Sequence, residues 1–237
     1  MSELEYQGGE LGLFAHAKNW KAYYSGLLRP YIKGSVLEVG AGIGGTMPSL
    51  WNDAVSQWLC LEPDPALARE LDERISNFKG HNVRAQIGTI DDLHPSDRFD
   101  CILYIDVLEH IRDDRSELKR AAHYLTLGGH LVVLSPAFQF LFSAFDTALG
   151  HERRYTAKSL AAAFPGELQQ ERVFYADSVG ALLSLSNRLL LRKELPTLKQ
   201  ITIWDRGVVP VSRVIDPLFR RLFGRSVIAV YKNAHHR

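Results

Sequence analysis

The chain has 237 residues, 46% of them hydrophobic and 23% charged, with a formal net charge of +1. That length and balance suit one large domain with a sizeable core and exclude a wholly disordered or fibrous chain. The near-zero total hides a split, because residues 1–150 carry 13 Lys+Arg against 20 Asp+Glu and residues 151–237 carry 15 against 7.

In chain order, residues 14–29 read as an aromatic-rich helix holding Phe14, Trp20, Tyr23 and Tyr24. A short strand over 36–39 runs into a glycine cluster, and a helix starts over 44–51. A second strand, 57–61, closes on Glu62-Pro63-Asp64-Pro65 and leads into a charged amphipathic helix, 66–78. Strands follow over 83–87 and 99–105, the latter ending in Asp106. The spacing then predicts a helix over 114–125, stopped by Gly128-Gly129, and a fifth strand, 130–134, ended by Ser135-Pro136. Beyond it come an aromatic stretch (138–150), a helix (156–164), a sixth strand (168–175) and an apolar run (179–191). Residues 195–209 read mostly as loop, 210–223 as helix and 226–231 as a last strand.

Strands alternating with helices predict an α/β fold, a Rossmann-like doubly wound sheet of seven strands. We read the chain as one domain with four segments: an N-terminal lid helix (1–34), a cofactor-binding core (35–136), an acceptor-side region with a basic helical insertion (137–225), and the last strand and tail (226–237). Cys60 and Cys101 sit in apolar segments and do not make a disulfide framework, which fits a reducing cytoplasm. The N-terminus is acidic and lacks the order of a signal peptide, and no apolar run approaches the ~18 residues of a spanning helix.

Gly40, Gly42 and Gly45 satisfy the G-x-G-x-x-G spacing between a strand and a helix. Such a loop makes a tight turn that lets backbone approach a ligand and aims helix N–H groups at it. It fits a nicotinamide or flavin dinucleotide, or S-adenosylmethionine (SAM). Glu38 at the end of the first strand favours SAM, whose sulfonium and amino group are cationic, over an anionic pyrophosphate. Glu62, ending the second strand, suits ribose hydroxyls in either case.

VLEVGAGIGG, LEPD, FDCILYIDVLEHI and LTLGGHLVVLSP, in that order over 36–136, resemble a class I SAM-dependent methyltransferase. The resemblance implies a last strand that runs antiparallel. It also implies a cofactor site in which Glu38, Gly40, Ala41 and Gly42 line the methionine end and Glu62 with Pro63 the ribose. Thr89, Ile90 and Asp91 would face the adenine, although many relatives carry an acid where this chain has Thr89. Asp106 and Val107 would lie beside the methyl group, with Asp106 as either a helix cap or a cofactor contact. His110 is a candidate base, and the demethylated product would be S-adenosylhomocysteine (SAH).

The acceptor leaves fewer marks. The fourth strand ends in IDVL instead of the N/D-P-P-Y/F of base amino-methylation, neither cysteine follows a proline, and two cysteines cannot hold an iron–sulfur cluster. No metal is expected. Nucleic acid is disfavoured, and an oxygen atom of a small-molecule, glycan or lipid-like acceptor is preferred. The segment Asp146…Gly150-His151-Glu152-Arg153-Arg154-Tyr155 is similar to a bacterial branch of these methyltransferases, some of which are associated with surface-polysaccharide or lipid-linked sugar pathways. Paired arginines beside a histidine and a tyrosine suit a carboxylate or phosphate. His151 is the candidate base, with Arg154 and Tyr155 beside it, while Asp146 and Arg153 serve the substrate or pin the loop. His16, Asn19, Trp20 and Tyr23 share a helix face, and Trp20 and Tyr23 are assigned to the acceptor side as part of a lid.

In residues 210–223, Val214, Ile215, Leu218, Phe219, Leu222 and Phe223 form an apolar stripe with Arg213, Arg220 and Arg221 beside it. With Arg188, Arg192 and Lys193 this makes a basic amphipathic pattern over 186–225. It either covers the sheet, makes a dimer contact, or touches the inner face of an anionic membrane. The alternatives to a methyltransferase are a dinucleotide-dependent oxidoreductase and a non-catalytic partner protein of the same fold.

Overall fold

The computed structural model describes residues 9–78, 80–190 and 197–234. Its centre is a seven-stranded sheet: β1 (Gly34–Val39), β2 (Val55–Glu62), β3 (Val83–Ile87), β4 (Phe99–Ile105), β5 (Leu125–Pro136), β6 (Gln169–Ala176) and β7 (Ser226–Lys232), in the order β3-β2-β1-β4-β5-β7-β6. The first five strands are parallel, and β7 lies antiparallel between β5 and β6. This is a Rossmann-like doubly wound sheet of seven strands, with its last strand antiparallel as expected.

The central strands are apolar on both faces because helices cover both. Alternate residues face opposite sides. Val36, Trp58, Cys101, Leu103 and Val132 pack on one side with Trp20 and Tyr24; Leu37, Leu61, Ile102, Tyr104 and Leu131 pack on the other with Leu118 and Leu160. The helices are α1 (Gly9–Phe14), α2 (Lys18–Leu28), α3 (Met47–Leu50), α4 (Pro65–Ser76), α5 (Asp114–His123), α6 (Ala144–Ala148), α7 (Ala157–Ala161), α8 (Ser178–Leu190), α9 (Leu198–Ile203) and α10 (Val209–Leu218). No helix among the described residues is long and apolar enough to cross a membrane.

Three expectations need correction. Gly128-Gly129 does not stop a helix but lies inside β5, where Gly128 donates to the Asn233 carbonyl and the Gly129 carbonyl accepts from Asn233. Of the stretch 195–209, the described residues 197–209 are not mostly loop, because α9 and one π-helical turn over Trp204–Val208 bury Ile201, Trp204 and Val209 in the core. The helix over 44–51 shrinks to α3, with the glycines held in the preceding turn.

The basic helix is also turned differently from a sheet-covering helix. On α10 the buried residues are Val209, Ser212 and Asp216, while Val214 and Leu218 are 69% and 76% exposed. Phe219 and Leu222, just beyond its end, are exposed as well. Asp216 sits in its last turn beside Pro217 and is fully buried. Arg192 and Lys193 lie outside the described residues, as does the side chain of Arg188.

Candidate functional site

A cleft of about 920 Å³ opens at the carboxyl ends of β1, β2, β4 and β5, where the strand order reverses between β1 and β4. Open α/β sheets bind ligands at this point. Its floor at one end is the loop after β1. Gly40 has φ +67°, and a Cβ there would stand 2.7 Å from Val107, so only glycine lets the loop lie against the β4 exit. Gly42, at φ +54°, donates its N–H to Glu62 Oε2 at 2.7 Å. Glu62 Oε1 accepts from Asp64 N at 3.0 Å, and burial raises the carboxyl above its ordinary value against those bonds. Asp64 caps α4 by accepting from the N–H groups of Ala66 and Leu67. Gly40, Ala41, Gly42, Glu62 and Pro63 all line the cleft.

Glu38 does not line it. It lies behind the loop, 2% exposed, with Oε2 accepting from Trp58 Nε1 at 3.0 Å. Burial pushes its carboxyl up to about 7, against bonds from Trp58 and Thr46 and the charge of Lys21. Thr46 and Lys21 do face the cleft. The Lys21 ammonium stands beside the loop, 2.9 Å from where a Gly45 Cβ would be, and burial lowers its pKa. Thr89, Ile90 and Asp91 stand outside the lining: Thr89 caps a short turn with Asp92, Ile90 is buried in the core, and Asp91 pairs with Arg120 at 3.0 Å.

The other end of the cleft collects the residues that follow β4. Asp106 adopts φ 54°, an uncommon value for a non-glycine residue. Asp106 lines the cleft and is exposed there, and desolvation by the protein around it pushes its carboxyl up to about 6, while His151, Arg225 and Arg154 pull it back. It makes no helix cap, since Val107 occupies the N-cap of the next turn. Burial presses His110 down to about 4, helped by the neighbouring His151 ring. The two rings stand perpendicular with centroids 4.6 Å apart.

The segment 150–155 divides by side. Asp146 is fully buried behind the cleft wall. Its Oδ1 meets His151 Nδ1 at 2.9 Å and Arg154 Nε at 2.7 Å, and its Oδ2 accepts from Arg154 Nη2 at 3.0 Å. Burial pushes this carboxyl up, but those bonds outweigh it and hold it well below the usual carboxylate range. His151 and Arg154 face the cleft, both largely covered. Arg153 and Tyr155 point the other way, both reaching Asp114 Oδ2, at 3.0 and 2.7 Å. They pin the segment to the chain after β4 and do not line the cleft.

The wall above is built from both ends of the chain. Leu11 and Phe14 of α1, Trp20 and Lys21 of α2, Trp204 and Arg225 all line it. Trp20 therefore takes the lid position. Tyr23 is turned away, its hydroxyl donating to Asp216 Oδ2 at 2.6 Å and accepting from Arg221 Nη1. Asp205 accepts from Asn19 N and Nδ2 and from Trp20 N, capping α2 from a position 186 residues distant from Asn19. Sequence reasoning missed Lys21, Trp204 and Arg225. Arg225 stacks over the Trp204 ring at 4.5 Å, and no carboxylate among the described residues is within ion-pair distance of it. Its place just before an antiparallel strand was the available signal, because that end of β7 shares an edge with the carboxyl ends of the parallel strands.

Comparison with known proteins bears on the cofactor half. Residues 37–131 match a family described as a methyltransferase domain. A tRNA U34 carboxymethyltransferase of Shewanella denitrificans is 31% identical over 108 residues, which are 45% of this chain and 32% of that protein. The match thus spans about a third of the relative's length. A geranyl diphosphate methyltransferase solved with SAM superposes with a TM-score of 0.65 at 13% identity, covering 98% of this chain and 93% of the other. Coclaurine N-methyltransferase, solved with N-methylheliamine and SAH, gives 0.60 at 13% identity over 91% and 72%. Residues 37–131 thus match a methyltransferase domain, and the chain as a whole shares the fold of these SAM-bound and SAH-bound structures.

Proposed function

We propose that the protein methylates an oxygen atom of a small acceptor that bears an anionic group and is borne on a lipid or glycan at the inner face of a membrane. The observation that carries this is the joining, in one cleft, of a glycine-loop end and a His151–Asp146 end. SAM supplies an activated methyl group: the acceptor oxygen forms the new C–O bond as the S–C bond breaks, and the bonding pair stays on sulfur to give SAH. The loop fits that cofactor, because Gly40 and Gly42 remove side chains from the turn, Glu62 offers a carboxylate to hydroxyls, and Lys21 offers an ammonium to a carboxylate. Phe14 and Trp20 exclude water from the cleft. Asp146 fixes the orientation of His151, the group that meets the acceptor oxygen and its proton. Arg154 is already neutralised by Asp146, so Arg225 is the better anchor for an acceptor anion.

A dinucleotide on this loop would bring its anionic pyrophosphate into a cleft that also holds the Asp106 carboxyl, which counts against an oxidoreductase. Calorimetric titration with SAH, run beside NADH, tests the cofactor: micromolar SAH binding without NADH binding supports the reading, and the reverse sinks it. Lys21→Ala should weaken SAH by about tenfold. In a screen of carboxylic acids, sugar phosphates and lipid-linked sugars, His151→Ala should cut turnover by roughly 10²–10⁴ while keeping SAH affinity. Turnover also separates an enzyme from a non-catalytic partner protein.

The membrane part rests on α10. Val211, Val214, Leu218, Phe219 and Leu222 are exposed, and so are Arg206, Arg213 and Arg220 around them. Apolar residues beside arginines suit an anionic bilayer surface. Salt-sensitive co-sedimentation with vesicles containing phosphatidylglycerol, lost in Leu218→Glu, is the expected result. Failure to sediment at low salt removes this part and leaves the methyl transfer standing.

A further inference from the structure

Ligand atoms of Glu109, His110 and His151 lie within 4.8 Å of one another, and all three residues line the acceptor end of the cleft. Glu109 is fully buried. Its Oε2 accepts from Ser135 Oγ at 2.9 Å, while Oε1 has no hydrogen-bond partner. A buried carboxylate oxygen is costly to leave so unless a proton or a cation meets it. Asp146 holds Nδ1 of His151, which leaves Nε2 as the nitrogen available to a ligand. Metal-binding histidines are commonly oriented by a carboxylate in this way.

We propose that Glu109, His110 and His151 bind one first-row divalent cation, such as zinc, cobalt or manganese, whose open positions receive the acceptor oxygen. Two imidazoles with one carboxylate select such ions over magnesium or calcium. Ligand bonds of about 2.0–2.2 Å put two donors on one ion up to roughly 4.3 Å apart, so small side-chain adjustments close the set. Three protein ligands leave coordination free toward the cleft. A bound cation holds the acceptor oxygen and makes its hydroxyl more acidic. The inference rests on the methyl-transfer reading of the cleft but changes the part His151 plays in it: with Asp146 on Nδ1 and the cation on Nε2 the ring takes no proton, and the cation-bound hydroxyl releases its proton to solvent before the methyl group transfers. It departs from the sequence expectation of no metal, because Glu109-His110 and His151 belong to separate segments that the fold brings together.

The test uses the full chain without an affinity tag, stripped with a chelator and titrated with Co²⁺ by visible absorption and with Zn²⁺ by calorimetry. SAH is titrated on the same sample. One equivalent of Co²⁺ should bind at micromolar concentration with a ligand-field spectrum, and Zn²⁺ should displace it. Glu109→Gln and His110→Ala should each weaken cobalt by about 10–100-fold, while His94→Ala, on an exposed turn, leaves it unchanged. Normal SAH binding with no stoichiometric cation, or with both variants binding like wild type, overturns the inference and makes Glu109 a protonated acid. Should Glu109→Gln fail to fold, the wild-type titration and His110→Ala decide. Loss of SAH binding as well would overturn the cofactor reading itself.

Discussion

The two halves of the molecule hold their polar groups in different ways. From β1 to β5, element ends are tied locally: Asp64 caps α4, Asp113 accepts from Ser116 N at the start of α5, and Thr89 and Asp92 cap each other. From residue 137 onward Thr156 and Thr197 still cap α7 and α9, but buried aspartates that bind distant parts of the chain are added to them. Asp216 accepts from the Asp177 and Ser178 N–H groups and from the Ser178 and Tyr23 hydroxyls. Asp177 accepts from Trp204 Nε1, Ser212 Oγ and Gly180 N. Local caps each contribute little and leave the chain readable segment by segment; the distant anchors concentrate stability in a few carboxylates that no short motif announces.

The sharpest way to break that contrast is Asp216→Ala. It strands several buried donors, so stability should fall by about 3–5 kcal/mol, or roughly 6–20 °C in Tm for a chain of this size. Thermal melts that move by only a degree or two would show that the distant anchors are dispensable.

Glu38, like Asp100 with its bonds from Ser35 and Thr126, is an exception inside the local half, a buried acid whose folded pKa is raised to about 7 from 4.5. A raised carboxyl binds more protons folded than unfolded between those values. Its burial therefore costs nothing below about pH 4.5, costs progressively more up to pH 7, and then levels off. Glu38→Gln should gain on wild type across pH 5–8, by up to about 3 kcal/mol. Denaturant midpoints at both ends of that range measure it, and parallel curves would refute it.

The smallest effect belongs to Asp64→Ala, which removes one half-buried cap. We expect a loss of about 1 kcal/mol by denaturant unfolding. A loss comparable to that of Asp216→Ala would erase the distinction between the halves.

That distinction also explains what could be read from the sequence. The strands of the first half were legible because buried parallel strands are continuous apolar runs ended by turn residues. Gly40, Gly42 and Glu62 were legible because one loop and one strand end place them. Tyr23 was not, because its partner Asp216 lies 193 residues away. The π-helical turn at Trp204 breaks helical periodicity and reads as loop. The apolar stripe of 210–223 was legible as a stripe, but its outward direction depends on Ser212 and Asp216 having buried partners. An ion pair between Asp146 and one of the two arginines was legible, but that Asp146 holds both Arg154 and His151 was not, and the opposite orientation of Arg153 and Tyr155 depends on Asp114.

The cap that Asp205 supplies to α2 bears on how the chain is made. Ribosomes deliver residues from the N-terminus at ~5–20 per second, so Asn19 and Trp20 emerge many seconds before the carboxylate that completes their helix start. Until then the parallel strands can pair, but the wall carrying Trp20 and Lys21 has no anchor at its near end. A nascent chain arrested before residue 205 should therefore hold the cofactor poorly, and full retention should appear only once Asp205 has left the ribosome.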